Sequence, residues 1–238
     1  MSQLKCENLT LGYDGKTVIS ELTFSVESGD YLCIVGENGS GKSTLMKAIL
    51  KLKTPMGGQI IIGDGLSVNE IGYLPQQTVV QKDFPASVRE VVRSGCLNRV
   101  GFRPFYNQGE KRIVEENMEK LGIADLANRC YRELSDGQQQ RTLLARALCA
   151  ARKILLLDEP AAGLDPRASA EMYELIKSLN EEGITIVMIS HDIAASIQYA
   201  SHILHIGNKS ALFSGTTAEY ENSDLGRAYK EGALPLVQ

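Results

Sequence analysis

The sequence lacks the features that mark membrane-spanning and secreted proteins. No apolar run approaches the ~20 residues that a helix needs to cross a bilayer. The first residues carry no long apolar segment, so we expect no signal peptide. The five cysteines are odd in number and show no Cys-x-x-Cys spacing, which indicates a reducing compartment and no disulfide framework. Any membrane role is therefore expected to run through a partner.

The chain also lacks an excess of basic residues, internal repeats and low-complexity tracts. Its net charge is -4 and its pI is about 5.5, which argues against a nucleic-acid partner, because binding along a phosphate backbone needs a basic face. Hydrophobic residues make up 43% of the 238 positions and charged residues 23%, an ordinary globular balance. This length suits an α/β domain with an insertion.

Hydrophobic periodicity divides the chain into α/β segments around a helical stretch. Predicted strands lie at 4–11, 23–26, 31–35, 59–62, 71–74, 153–158 and 184–189, and a short hairpin at 203–206 and 211–213 turns around Gly207-Asn208-Lys209. Predicted helices lie at 42–51, 110–121, 136–150, 166–180 and 192–199, with a further helical stretch opening at 87. We therefore predict one domain over 1–238, with an α/β core at 1–82 and 151–238 and a helical subdomain at 83–150.

A glycine-rich loop follows the buried strand at 31–35 and precedes a helix, the context that a phosphate-binding loop requires. Glycines allow backbone N–H groups to surround phosphates, and the helix N-terminus adds free donors. Lys42 would meet the β- and γ-phosphate oxygens, and the Ser43 hydroxyl would bind Mg²⁺. The alternative is an ordinary glycine turn. The loop reads Gly36-Glu37-Asn38-Gly39-Ser40-Gly41-Lys42-Ser43-Thr44.

Two acids end the apolar strand at 153–158. Acids at the carboxyl edge of a buried strand lie beside the ligand crevice of an open α/β sheet. Asp158 would hold Mg²⁺, and Glu159 would orient or deprotonate the attacking water. The alternative is a solvated strand end, which is common for an isolated Asp-Glu pair.

Together with these two segments, further short motifs resemble those of the nucleotide-binding subunits of ABC transporters, in the family's order. They are Tyr13 as the upstream aromatic, Tyr73-Leu74-Pro75-Gln76 as the Q-loop, Leu134-Ser135-Asp136-Gly137-Gln138 as the signature, Asp158-Glu159-Pro160 as the Walker B ending, Gly163-Leu164-Asp165 as the D-loop and Ser190-His191-Asp192 as the switch-histidine segment. The resemblance covers nearly the whole chain.

The resemblance implies a P-loop NTPase (RecA-like) core with an antiparallel β layer and an inserted helical subdomain, and hydrolysis of ATP with Mg²⁺. Glu159, His191, Lys42 and Gln76 would be catalytic, and Ser43, Gln76 and Asp158 would hold the metal. The nucleotide would contact Tyr13, the loop residues Gly36, Asn38, Gly39, Ser40, Gly41, Lys42, Ser43 and Thr44, and the signature residues Ser135, Gly137 and Gln138, the last three across a homodimer that sandwiches two ATP molecules.

The resemblance also implies partners and a location. The chain would lie on the cytoplasmic face of the cell membrane, bound to integral membrane permease subunits that receive cargo from an extracytoplasmic solute-binding protein. The segment Asp83–Val92 looks most like zinc or manganese importers, with siderophore or cobalamin import as the alternative. A soluble ABC ATPase without a transport role, such as an Fe–S assembly factor, is a second class. A catalytically inactive binding module is a third, against which Glu159 and His191 argue.

Several of these residues also have plainer explanations. Gln76 alone is typical of a surface loop, His191 of a packed or exposed histidine, and Tyr13 of a ring packed on the β layer. His202 and His205 invite a metal interpretation, but residues three apart on a strand point to opposite faces, which favours structural roles. Asp136 departs from the family, where glycine is usual, and brings a negative charge toward a triphosphate; we expect the site to work nonetheless, with weaker or slower closure.

Overall fold

The computed structural model describes residues 2–63, 65–76, 83–101, 103–207 and 209–230. Its strands are β1 Ser2–Tyr13, β2 Lys16–Glu27, β3 Tyr31–Gly36, β4 Gly57–Ile62, β5 Ile71–Leu74, β6 Ile154–Asp158, β7 Thr185–Ile189, β8 His202–Gly207 and β9 Ser210–Thr216. Its helices are α1 Lys42–Ile49, α2 Val88–Ser94, α3 Leu97–Val100, α4 Gln108–Lys120, α5 Asp136–Ala150, α6 Pro166–Glu181, α7 Ile193–Tyr199, α8 Thr217–Asn222 and α9 Asp224–Lys230. Short 3-10 turns lie at Val68–Glu70, Ala124–Leu126 and Tyr131–Glu133.

The chain divides into two compact units, one of residues 1–68 with 183–238 and one of residues 69–182. In the first unit, β2, β1 and β4 form an antiparallel sheet in that order. The alternation of apolar and polar residues along β2 buries Leu22, Phe24 and Val26 on one face and leaves the intervening residues exposed. This sheet is the predicted antiparallel layer.

The first unit also carries strands in the order β7-β3-β8-β9. β3 is parallel to both β7 and β8, and β9 returns antiparallel to β8. All residues of β3 and β7 are buried, as expected for strands covered on both faces. The loop that follows β3 is consequently held by a strand with neighbours on both sides.

The second unit pairs two strands with most of the helices. β5 and β6 are parallel, from Ile71 opposite Ile154 to Leu74 opposite Leu157. In the described part of residues 87–150 there is no strand, only an isolated bridge between Ser87 and Cys130. Capping boxes start α2, α4 and α5, each with its N-cap side chain bonded to the residue three positions on.

The predicted strands and long helices are all present, and most boundaries shift by a few residues; β2 is the exception, since it starts at Lys16, seven residues before its predicted start. α1 ends at Ile49, short of the predicted Lys51, because Lys51 adopts a left-handed backbone with φ of 56°. The structure adds α3, α8 and α9, which were not predicted. The capping box formed by Thr216 and Glu219 was a usable signal for α8. Asn208 of the predicted hairpin turn lies outside the described residues.

Candidate functional site

The glycine-rich loop of the first unit has a backbone that side chains would obstruct. Gly36, Gly39 and Gly41 have φ of 147°, 80° and 102°, a region that residues with a Cβ rarely adopt. A Cβ at Gly36 would lie 2.1 Å from the backbone oxygen of Ile206, and one at Gly41 would lie 2.7 Å from the Ile19 side chain. The glycines therefore let the loop lie directly on β8 and β2.

The contrast between two of these glycines gives a stability prediction. Gly36→Ala places a methyl group against the Ile206 carbonyl, so we expect a loss of about 2–4 kcal/mol in the free energy of unfolding. Gly39→Ala meets no described atom within 4 Å, so only its left-handed backbone costs stability, about 1–2 kcal/mol. Denaturant unfolding measures both. Equal losses would show that the close contact at Gly36 is relieved by movement of the strand.

The donors that an anion would need are available in the loop. Gly41 is the N-cap of α1 and offers no side chain to the helix N–H groups, which leaves them for a ligand. The Ser40 hydroxyl oxygen is buried without a hydrogen-bond partner in the described part of the chain. Lys42 is 6% exposed, and its Nζ donates to the carbonyls of Gly36 and Glu37 at 2.8 Å each. These features fit the phosphates of a nucleotide.

Two other predicted residues lie in the first unit. Tyr13 ends β1 with 46% of its surface exposed, and the Lys53 ammonium lies 3.7 Å from the centre of its ring, a contact that the sequence did not signal. His191 follows β7 and is half-buried. Asp192 accepts a hydrogen bond from the Ala195 backbone at 2.9 Å and so begins α7 directly after His191.

The carboxylate pair of the second unit ends β6. Asp158 is 5% exposed, and Glu159 is half-buried with a φ of 52°, a strained left-handed conformation of the kind found at functional positions. The Gln76 side chain donates from Nε2 to Glu159 Oε2 at 2.9 Å. The structure thus brings together two predicted catalytic residues that lie 83 positions apart.

Neighbouring side chains support this pair. Burial and, second, the negative charge of Asp158 raise the pKa of Tyr73 on β5 to about 12, so its phenol remains protonated and can donate a hydrogen bond. The Gln140 side chain of α5 donates to the carbonyl of Pro160 at 2.8 Å. This bond ties the turn after Glu159 to the helix that carries the signature segment. The sequence assigned no role to Gln140.

The signature segment is the N-terminus of α5. The Ser135 hydroxyl accepts from the backbone of Gln138 at 3.3 Å, and Gln138 Oε1 accepts from the backbone of Ser135 at 3.1 Å. Asp136 and Gly137 follow Ser135 on the first turn, beside a cavity of about 590 Å³. The cavity leaves room for an anion at this helix end, where the helix dipole favours negative charge.

Comparison with known proteins places the chain in a family. A sequence profile described as ABC transporter matches residues 19–162. That is more than half of the chain, and the chain belongs to the ABC transporter family and carries its ATP-hydrolysing domain. The predicted P-loop NTPase fold, with its antiparallel layer and helical insertion, is confirmed.

Its relatives are components of transport systems. The chain is 34% identical over 226 residues to the zinc uptake system ATP-binding protein ZurA of Listeria innocua, covering 92% of this chain and 88% of that protein. It is 34% identical over 232 residues to the manganese transport system ATP-binding protein MntB of Bacillus subtilis, with coverages of 96% and 93%. A solved structure described as an inward-facing metal-chelate type ABC transporter aligns with a TM-score of 0.86 at 27% identity, covering 97% of this chain and 90% of that one.

None of the described helices is both long and apolar enough to span a bilayer.

Proposed function

We propose that this chain is the ATPase subunit of an importer for a divalent metal ion, zinc or manganese, and works on the inner face of the membrane. The observation that carries the ATPase role is the phosphate loop, with its uncapped helix N-terminus and buried Lys42. The cargo is inferred from relatives named for zinc uptake and manganese transport. The alternative cargo, a siderophore or cobalamin, has weaker support, because one relative is named for chelated iron transport and one solved neighbour is described as metal-chelate type.

In the first unit, the loop residues would bind the nucleotide. The Lys42 ammonium, now donating to two loop carbonyls, would turn to the β- and γ-phosphate oxygens, because ionised acceptors form stronger hydrogen bonds than carbonyls. The Tyr13 ring would stack on the adenine once Lys53 moves from its face. His191 would donate to the γ-phosphate.

In the second unit, Glu159 would accept a proton from the attacking water. Gln76 donates to Glu159 Oε2 and so fixes the position of the carboxylate. The same amide would report the state of the terminal phosphate to the helices of this unit.

Magnesium fits the donors that the chain provides, a hydroxyl at Ser43, an amide oxygen at Gln76 and a buried carboxylate at Asp158, since Mg²⁺ prefers oxygen ligands. When bound, the ion would neutralise charge on the phosphates. Mg²⁺ dependence of nucleotide hydrolysis is the direct check.

A homodimer would complete the site, since the first turn of α5 carries the Ser135 hydroxyl, the Gly137 N–H and the Gln138 side-chain amide, each of which can donate to a phosphate held by the partner. Hydrolysis would then release the pair. Size measurement of the Glu159→Gln variant with and without Mg·ATP tests this, and a variant that stays monomeric with ATP bound would contradict it.

A groove of about 580 Å³ in the second unit would receive the permease. Phe84, Val91 and Tyr131 contribute apolar surface to its lining, and Arg93 and Arg146 outnumber Glu90 among its charged residues. This combination fits an amphipathic permease helix that carries an acidic residue.

The partner and the cargo can be tested together. We expect Phe84→Asp to abolish binding to the permease while the isolated chain retains its ATP hydrolysis, because Phe84 is 56% exposed and is not part of the buried core. Leu97→Asp, at an exposed position outside the groove, is the matched control. Vesicles that hold the permease, with this chain and ATP inside and the solute-binding protein outside, should accumulate Zn²⁺ or Mn²⁺, and uptake of an iron–siderophore chelate without either metal would contradict the proposed cargo.

Asp136 gives a prediction about turnover. The exposed carboxylate lies at the first position of α5, where it stabilises the helix but repels a phosphate. We expect Asp136→Gly to raise the ATPase rate a few-fold (roughly 1 kcal/mol of repulsion removed at a partly exposed position) and to lower the unfolding midpoint slightly. A steady-state phosphate-release assay measures the rate. A fall in activity would show that Asp136 contributes to the reaction.

A further inference from the structure

His205 is a buried histidine that none of the roles above uses. It lies on β8 in register with Val35 of β3, the strand that leads into the phosphate loop, and it is 7% exposed. Its chain neighbour Ile206 presents the carbonyl that lies against Gly36. His205 therefore directly precedes the residue whose carbonyl contacts Gly36 of the phosphate loop.

A buried hydrogen bond joins this histidine to the helix α8. His205 Nδ1 lies 3.0 Å from the hydroxyl oxygen of Tyr220, which is 0% exposed. The Tyr220 ring packs edge-on against Phe213, the partner of His205 on β9, with 5.1 Å between ring centres. The bond is buried at both ends and therefore costly to break, so it holds α8 and β8 in one arrangement.

The imidazole also senses the charges of the loop. Burial lowers the pKa of His205; the Glu37 carboxylate acts in the opposite direction, and the Lys42 ammonium lowers the pKa further. These two charges and the Tyr220 phenol are the titratable groups that face it from the loop, α1 and α8. Phosphates that neutralise Lys42 would make a proton on His205 less costly.

We propose that His205 is a positioning residue for the phosphate loop, and that its hydrogen bond to Tyr220 makes nucleotide binding depend on helix α8. The inference rests on the proposed function, because it takes the loop to be the ATP site. His205 acts through β8: the bond to Tyr220 fixes the strand whose Ile206 carbonyl supports Gly36.

Two single substitutions test this, with the unfolding midpoint measured beside the Kd of Mg·ATP. Tyr220→Phe removes only the hydroxyl, and we expect the Kd to rise about fivefold, the equivalent of one hydrogen bond. His202→Gln is the matched control, since His202 lies on the same strand, half-buried, with its ring beside Ser201; it should leave the Kd unchanged. A Tyr220→Phe variant that binds like the parent would overturn the proposal.

The pH dependence separates positioning from simple packing. Nucleotide binding should raise the pKa of His205, so binding takes up protons and tightens as the pH falls through the pKa that His205 has in the complex. His205→Gln, which cannot titrate, should lack this extra tightening. If the Kd changes with pH equally in His205→Gln and in the parent, the pair is only a packing contact in the core, and the proposal is overturned.

The parent chain provides a readout that needs no variant of the pair. It has three histidines, so their ring signals can be followed by NMR and assigned with His191→Gln and His202→Gln, which leave His205 and Tyr220 intact. The His205 titration midpoint should move upward when Mg·ATP is added, and an unmoved midpoint would overturn the proposal even if neither variant folds. If the parent chain does not bind ATP, the proposed function is wrong as well. If the parent binds ATP and the variants bind it with the same Kd, only this inference is wrong.

Discussion

Glu159→Gln should reduce the rate of ATP hydrolysis by about 10²–10⁴-fold, the usual contribution of a general base. The amide cannot accept the proton of the attacking water, yet it is nearly the same shape as the carboxylate. It can still meet Gln76, whose Nε2 now donates to Glu159 Oε2 at 2.9 Å. Nucleotide affinity should therefore stay close to that of the parent. Single-turnover hydrolysis and equilibrium ATP binding, measured on one preparation, separate the two quantities.

The matched control is Glu181→Gln, which removes an exposed carboxylate at the end of α6 in the same unit. It should hydrolyse ATP at the parental rate. If Glu159→Gln keeps more than half of that rate, the water is activated by another group, and Glu159 serves only to hold Gln76.

Lys42→Met should weaken ATP binding by at least about 100-fold, because charge-assisted hydrogen bonds contribute about 1.5–3 kcal/mol each. Methionine keeps the apolar stem and removes only the charged donor, so packing around the buried side chain changes little. The substitution also removes the bonds to the Gly36 and Glu37 carbonyls. The unfolding midpoint therefore has to be measured alongside the binding curve.

Lys47→Met is the natural comparison, since Lys47 lies on the same helix with its side chain exposed. Lys47→Met removes the same formal charge but leaves the phosphate loop unchanged, so we expect this variant to bind ATP as tightly as the parent does. If both variants bind ATP equally well, general charge and not the loop lysine attracts the nucleotide.

Much of the fold was predictable because its strands and helices carry strong local patterns. The continuous apolar runs of β3 and β6 have few alternatives to strands buried on both faces, and each ends at a chemically distinctive segment. α8 and α9 were missed because they are short, so that few apolar positions repeat at helical spacing. The place of α8 in the fold depends on the contact of Tyr220 with His205, 15 positions away in the sequence.

The sequence predicted which residues belong to the candidate site, but it predicted few of the contacts between them. The motifs named Gln76 and Glu159 separately, but the hydrogen bond between them depends on the parallel pairing of β5 and β6. Lys53 over the Tyr13 ring has no local signal at all, since it follows from the return of the chain from α1 to β4. The roles of these residues in hydrolysis stay predictions.

The left-handed backbone at Glu159 has a consequence for engineering. A side chain in that conformation costs about 1–2 kcal/mol relative to glycine, so Glu159→Gly should make the domain harder to melt. It would do so by deleting the carboxylate that turnover needs. A selection for heat resistance alone would thus enrich inert chains altered at this very position, and such a screen has to be coupled to an assay for phosphate release.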